Sequence, residues 1–145
     1  MPQTYANTKL YIGTKAVATD IPSYAADTYT QVKGIKSMPP LGDASNELSI
    51  ALMEDGRQQD FKGIKNSGGG TYGIAFDAAD PGQQALIAAE ADTSSTPYNF
   101  YREYEDGRIS YFSGLVFSFN EAGGEVEDFI MIDCVIKSNT PILTA

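Results

Sequence analysis

"RISYFSGLVFSFN" (residues 108–120) and "VEDFIMIDCVIK" (126–137) decide the fold. Apolar residues recur at every second position in each. Ile109, Tyr111, Leu115, Phe117 and Phe119 fall on one face of the first segment, and Val126, Ile130, Ile132, Cys134 and Ile136 share a face of the second. A period of two is the signature of strand. The second segment is apolar on its other face too, at Phe129, Met131 and Val135. Strands of this kind need cover on both sides, by a second sheet or helix on one and by a neighbouring subunit on the other. "NEAGGE" (120–125) turns between them.

The remaining chain is also mostly strand. "TKLYIG" (8–13) and "TYTQVKGIK" (28–36) are rich in β-branched and aromatic residues and bounded by turn formers. "SMPPLGDASN" (37–46) carries two prolines and a glycine and reads as a loop, "ELSIALM" (47–53) as a strand. "KNSGGGTYG" (65–73) reads as a flexible joint, after which "TYGIAFD" (71–77) returns to strand. One helix is expected over about 80–91, with Asp80 as its N-cap, Pro81 in the first helical position and Gln83 three residues past the cap. "DTSSTP" breaks the chain before "YNFYREY" (98–104), a further strand. The expected fold is mainly β: a β-sandwich or half-barrel with one flanking α-helix, in one domain spanning 1–145.

Composition removes several function classes. The net charge of -9 comes entirely from residues 66–145, where twelve acids face three bases; the seven acids and seven bases of 1–65 cancel. Gripping nucleic acid needs the opposite sign, whereas an acidic surface lets DNA pass without sticking. No apolar run approaches the length of a membrane helix, and the first residues lack the basic-then-apolar order of a signal peptide. No membrane insertion is expected. With no histidine in the chain, triads, histidine-ligated metals and the usual general base are excluded. Cys134 is the only cysteine and has no histidine partner, so it reads as a small buried hydrophobe. "NSGGGTYG" lacks the Lys-Ser/Thr of a phosphate-binding loop. No catalytic residue, metal ligand or cofactor is therefore expected, and the protein is read as not an enzyme.

"EDGRQQDFKG" (54–63) and "EDGRISYFSG" (105–114) agree at six of ten positions. Asp-Gly is a hairpin signal, and strand-like flanks on both sides make Asp106-Gly107 a hairpin. The sequence after Asp55-Gly56 is more polar and reads as part of an exposed arm. The flanking segments do not repeat, which speaks against a duplicated module.

The segment order "TKLYIGT", "YTQVKGIKSMPPLGDASNELSIALMEDGRQQDFKGIKNSGG", "DAADPGQQALIAA" and "FSGLVFSF" resembles a tail tube protein (major tail protein) of long, non-contractile-tailed bacteriophages. The resemblance covers residues 8–137, departing from the family in its glycine-rich "NSGGGTYG" and in the absence of an appended immunoglobulin-like domain. It implies a β-sandwich flanked by a helix and assembly with itself into hexameric rings stacked as a hollow tube. Tape-measure, tail terminator and distal tail proteins would be its partners, and double-stranded DNA would cross the lumen without specific binding. The implied location is the virion tail, assembled in the host bacterial cytoplasm. A tube of a contractile tail or type VI-like secretion system is the near alternative, and a monomeric acidic β-sandwich binding module the distant one.

Three regions are then expected to make contacts: an N-terminal arm (1–24), an extended loop (38–70) joining rings, and the terminal strands at the ring seam. Within the loop the candidate inter-ring residues are Pro39, Pro40, Leu41, Arg57, Phe61, Lys62 and Lys65. The candidate lumen-lining acids are Glu121, Glu125, Glu127, Asp128 and Asp133.

Overall fold

The computed structural model describes residues 3–54 and 56–145, with Asp43 and Ser67 described by their backbone alone. Met1 and Pro2 of the expected arm, and Asp55 of the first Asp-Gly pair, lie outside the described residues. Among the described residues nine strands and two helices follow in order: β1 (Lys9–Ile12), α1 (Ile21–Ala25), β2 (Thr30–Val32), β3 (Ile35–Ser37), β4 (Leu41–Leu52), β5 (Arg57–Ala75), α2 (Pro81–Ala91), β6 (Tyr98–Glu103), β7 (Ile109–Glu121), β8 (Met131–Ser138) and β9 (Leu143–Thr144). The chain is mainly β, a single curled half-barrel sheet closed by α2.

The sheet order is β2-β1-β6-β7-β8-β5-β3, antiparallel throughout, with β4 paired to β5 and β9 to β7. β7 is the spine. Its first half pairs with β6, from Ile109↔Glu103 to Gly114↔Tyr98, and its second half with β8, from Gly114↔Ser138 to Glu121↔Ile132. The exchange happens at Gly114, where a Cβ would stand 2.4 Å from the Lys137 carbonyl oxygen. Leu10, Phe100, Phe112, Tyr72 and Ile132 come from five different strands yet meet Leu86 and Ala89 of α2 in one core, so the sheet must wrap around it.

The back of the β1-β6-β7 half is covered by tyrosines. Tyr11 stacks on Tyr101 at 4.3 Å, Tyr29 meets Tyr101 edge-on, and the buried Tyr24 of α1 stacks on Tyr111.

The helix forms over Pro81–Ala91 because its start is tied down. The Asp80 carboxylate accepts from Gln83 N at 3.2 Å and from Lys33 N at 3.0 Å. Gln83 does not reach back to the cap as a reciprocal capping box would. Its buried amide donates to the Lys33 and Ala75 carbonyls and accepts from Asp77 N, all at 2.9 Å. This clamp sits where β2 gives way to β3, so the expected single strand over 28–36 is split at Lys33-Gly34, with Gly34 at φ +83°.

Four other readings need correction. Of residues 37–46 only 38–40 are loop: Ser37 ends β3, and β4 starts at Leu41, because pairing with β5 outweighs the local turn signal. The glycine-rich "KNSGGGTYG" is no joint but the middle of β5, with Gly69 and Gly70 in register with Lys137 and Ile136. In β7 a bulge between Val116 and Ser118 switches the parity, so Phe112, Val116 and Phe119 face the core while Phe117 is exposed. The following strand starts at Met131, not Val126: Ile132, Cys134 and Ile136 face the core, but Val126 and Ile130 do not. Burial pushes the Cys134 thiol up to about 12, with Glu90 adding to the effect, so it stays protonated.

Asp80→Ala removes two buried acceptor bonds at once. The expected loss is about 1–2 kcal/mol, read as a lower urea midpoint with an unchanged slope.

Candidate functional site

The outer part of β5 and nearly all of β4 form a two-stranded ribbon that leaves the sheet. β5 makes its last pair with β8 at Gly69↔Lys137 and runs back to Arg57. Twelve residue steps at about 3.3 Å make the ribbon about 40 Å long, roughly the length of β7. Pairing of Leu48 with Phe61 and of Ile50 with Gln59 sets Leu48, Ile50 and Phe61 on one face. Glu47, Ser49, Asp60 and Lys62 take the other face, where Ser49 Oγ donates to Asp60 Oδ1 at 2.7 Å. The apolar face is bare: Leu48 is 57 % and Phe61 55 % exposed, and Met53 at the tip is fully so. A two-stranded ribbon is at best marginal in water unless its apolar face is covered.

The root of the ribbon is held by a buried charge. Arg102, 1 % exposed, lies on the core face of β6. Its Nη2 donates to the Pro39 carbonyl at 2.7 Å and to the Tyr72 hydroxyl at 2.8 Å, and its Nε donates to the same hydroxyl at 3.2 Å. Its guanidinium also sits 5.2 Å from the Tyr72 ring centre. Burial raises the Tyr72 pKa against the opposing pull of Arg102. Next to this anchor Gly69 N donates to the Pro40 carbonyl at 3.1 Å, and Leu41 packs against the core.

The connection between β7 and β8, residues 122–130, lies at the opposite end of the sheet, beside the Ala75↔Met131 pair. It is closed by Ala122 N to the Met131 carbonyl at 2.9 Å and by Glu125 N to Asp128 Oδ2 at 2.8 Å. Val126 and Phe129 project from it, 100 % and 87 % exposed. A cleft of about 220 Å³ opens here, walled by Phe129, Ile130 and Met131 and rimmed by Glu121, Glu125 and Asp128.

The residues expected to join rings therefore divide. Pro39 is buried under Arg102 and Leu41 packs inward, with Pro40 exposed between them, so all three belong to the root. Arg57, Phe61, Lys62 and Lys65 stand exposed on the ribbon. The five acids do not share a face. Asp133 is exposed on the side of β8 away from α2, Glu121 ends β7, and Glu125, Glu127 and Asp128 lie in the 122–130 connection. Within 3–24, Leu10 and Ile12 are core and Tyr24 is buried, so the exposed stretches are 3–7, 14–17 and 19–22.

The segment after β1 is laced down by Asp27. This carboxylate accepts from Thr14 N and Oγ1, from Asn99 Nδ2 and from Thr28 N. Burial pushes its pKa up, but these four bonds outweigh that and hold it below the ordinary aspartate value. Lys15 pairs with Asp92 nearby. Phe129 was read as strand rather than as part of a turn, and Arg102 and the Asp27 lacing were not singled out in the sequence. The available signal for Arg102 was its place on the same alternating face as Tyr98 and Phe100.

No family model matches the sequence, and no curated protein matches it. Solved structures do. The sheath/tube terminator of an extracellular contractile injection system (PVC, extended state) superposes with a TM-score of 0.70 at 9% identity, over 100% of this chain and 97% of that one. The SPP1 tail tube gives 0.67 at 15% identity, over 99% and 78%. The tube-terminating cap of the anti-feeding prophage gives 0.67 at 12%, over 100% and 93%. The chain thus has the fold shared by tube and terminator proteins of phage tails and contractile injection systems.

Tyr72→Phe leaves the buried guanidinium short of an acceptor. The expected cost is about 1–3 kcal/mol, with faster hydrogen exchange at the Gly69 amide than at the amides of β1. Asp27 supplies a pH test. Since its folded pKa lies below the unfolded value of about 3.9, its contribution is complete above that pH and fades as pH falls through the folded value. Urea midpoints for wild type should drop on acidification below about pH 4, and Asp27→Asn should flatten that drop.

Proposed function

We propose that this chain is a structural subunit that assembles with itself into stacked rings, six copies to a ring, forming the hollow tail tube of a long-tailed bacteriophage through which the genome is ejected. The carrying observation is that the two ends of the sheet are both apolar and unlike each other: a bare ribbon leaves one end, and the exposed Val126 and Phe129 stand at the other. Unlike, self-complementary ends produce heterologous contacts, which close into rings or run on as filaments. A terminating cap needs only one such end, which favours the body of the tube.

In this reading the ribbon, with Arg57, Phe61, Lys62 and Lys65, bridges successive rings; β7 and β8 lie inside the sheet, so the open edges β2 and β3, in place of the terminal strands, lie towards ring neighbours. The exposed side of β8 faces the channel, where Asp133 turns DNA phosphates away. The tube surrounds a tape-measure protein during assembly in the host cytoplasm, with tail terminator and distal tail proteins as further partners.

Negative-stain electron microscopy of the concentrated protein should show rings or tubes of one diameter. A species that stays monomeric in sedimentation at every concentration, and also with the other tail components present, overturns the proposal.

A further inference from the structure

The ribbon carries a second bulge in addition to the break at Gly42. Ser45 pairs with Lys65 but Glu47 with Lys62, so Gly63 and Ile64 together oppose Asn46 alone. Bulges re-aim a side chain relative to the strand's alternation, and the one re-aimed here is large and apolar. Ile64 is 81 % exposed and sits between Lys62 and Lys65 in a stretch, 61–66, that holds no acid. The cleft beside the 122–130 connection has the complementary chemistry. Its walls are Phe129, Ile130 and Met131, its rim carries Glu121, Glu125 and Asp128, and no base occurs from 121 to 136.

We propose that Ile64 of one copy seats in this cleft of a second copy, with Lys62 and Lys65 against the acidic rim. The root half of the ribbon then makes the charged joint, while its outer half, with Leu48, Ile50 and Phe61, lies further along the neighbour. The inference rests on the self-assembly reading and adds the receiving site to it. It also gives Glu121, Glu125 and Asp128 a role apart from the channel.

The contact is necessarily between copies. Ile64 lies eleven residues along β5 from Ala75, which pairs with Met131 at the cleft. That is about 36 Å of strand, far beyond the roughly 7 Å between Cα atoms that a disulfide can bridge.

Ile64→Cys and Phe129→Cys chains of distinguishable length are mixed under assembling conditions and oxidised. Cys134 is fully buried and protonated, so it does not compete. The expected product is a disulfide dimer holding one chain of each kind, in clear excess over dimers of either kind alone. Tubes without that mixed dimer overturn the inference and leave the tube reading standing; the absence of tubes from wild type as well removes both. Charge reversal is the second arm. Lys62→Glu with Lys65→Glu should raise the critical concentration for assembly at least about tenfold, a cost of about 1.4 kcal/mol. Adding Glu121→Lys and Glu125→Lys in the same chain should restore assembly. Loss without restoration overturns the pairing.

Discussion

The fold depends on one strand having to satisfy two partners in succession. β7 pairs with β6 along one edge of its first half and with β8 along the opposite edge of its second, β9 pairing at Ser110 and Tyr111, and the sheet built on it is curled. Its two wings turn towards the same side, and strands distant in order reach a common core with α2. Where β7 changes partners the backbones of β7 and β8 are too close for any side chain at Gly114. The Asp80 and Gln83 clamp acts on the same wrap from outside, joining the helix start to both the β2-β3 junction and the end of β5.

The ribbon has a different energetic basis. Among the described residues nothing covers Leu48, Ile50 and Phe61, and the subunit's investment is at the root. There a desolvated guanidinium is held by a phenol and a carbonyl, and an isolated buried charge without such partners would be strongly unfavourable. Hydrogen bonds to charged groups are worth about 1.5–3 kcal/mol, enough to define one position for Pro39. The body thus keeps the base of the ribbon in place and leaves its length for another surface.

Much of this was legible in the sequence, and the rest fails for identifiable reasons. The helix was readable because Asp80, Pro81 and the run to Ala91 are local signals that tertiary structure did not oppose. The sheet's spine was readable from its alternation, but only up to the bulge after Val116, since an inserted residue changes parity without any mark in composition. Leu41 to Ser45 looked like loop because Pro39, Pro40 and Gly42 are turn formers, whereas the state of that segment is decided by β5 across from it. For the candidate site, the ribbon's exposure could be anticipated from its polar content. The cleft could not, because Val126, Phe129 and Ile130 look like core strand until the turn that pulls them out is known.

Three consecutive glycines at the ribbon's base, Gly68, Gly69 and Gly70, have φ values of +91°, +112° and +148°. These are backbone angles that L side chains rarely adopt, yet Gly69 and Gly70 stay paired in β5. The direction of the ribbon is therefore set at its root, where pairing with Lys137 and Ile136 and the Gly69 N bond to the Pro40 carbonyl hold backbone angles that glycine alone adopts readily. A limb aimed before its partner arrives loses less freedom on docking than a hinged one would. Glycine, usually a source of looseness, here serves pre-organisation.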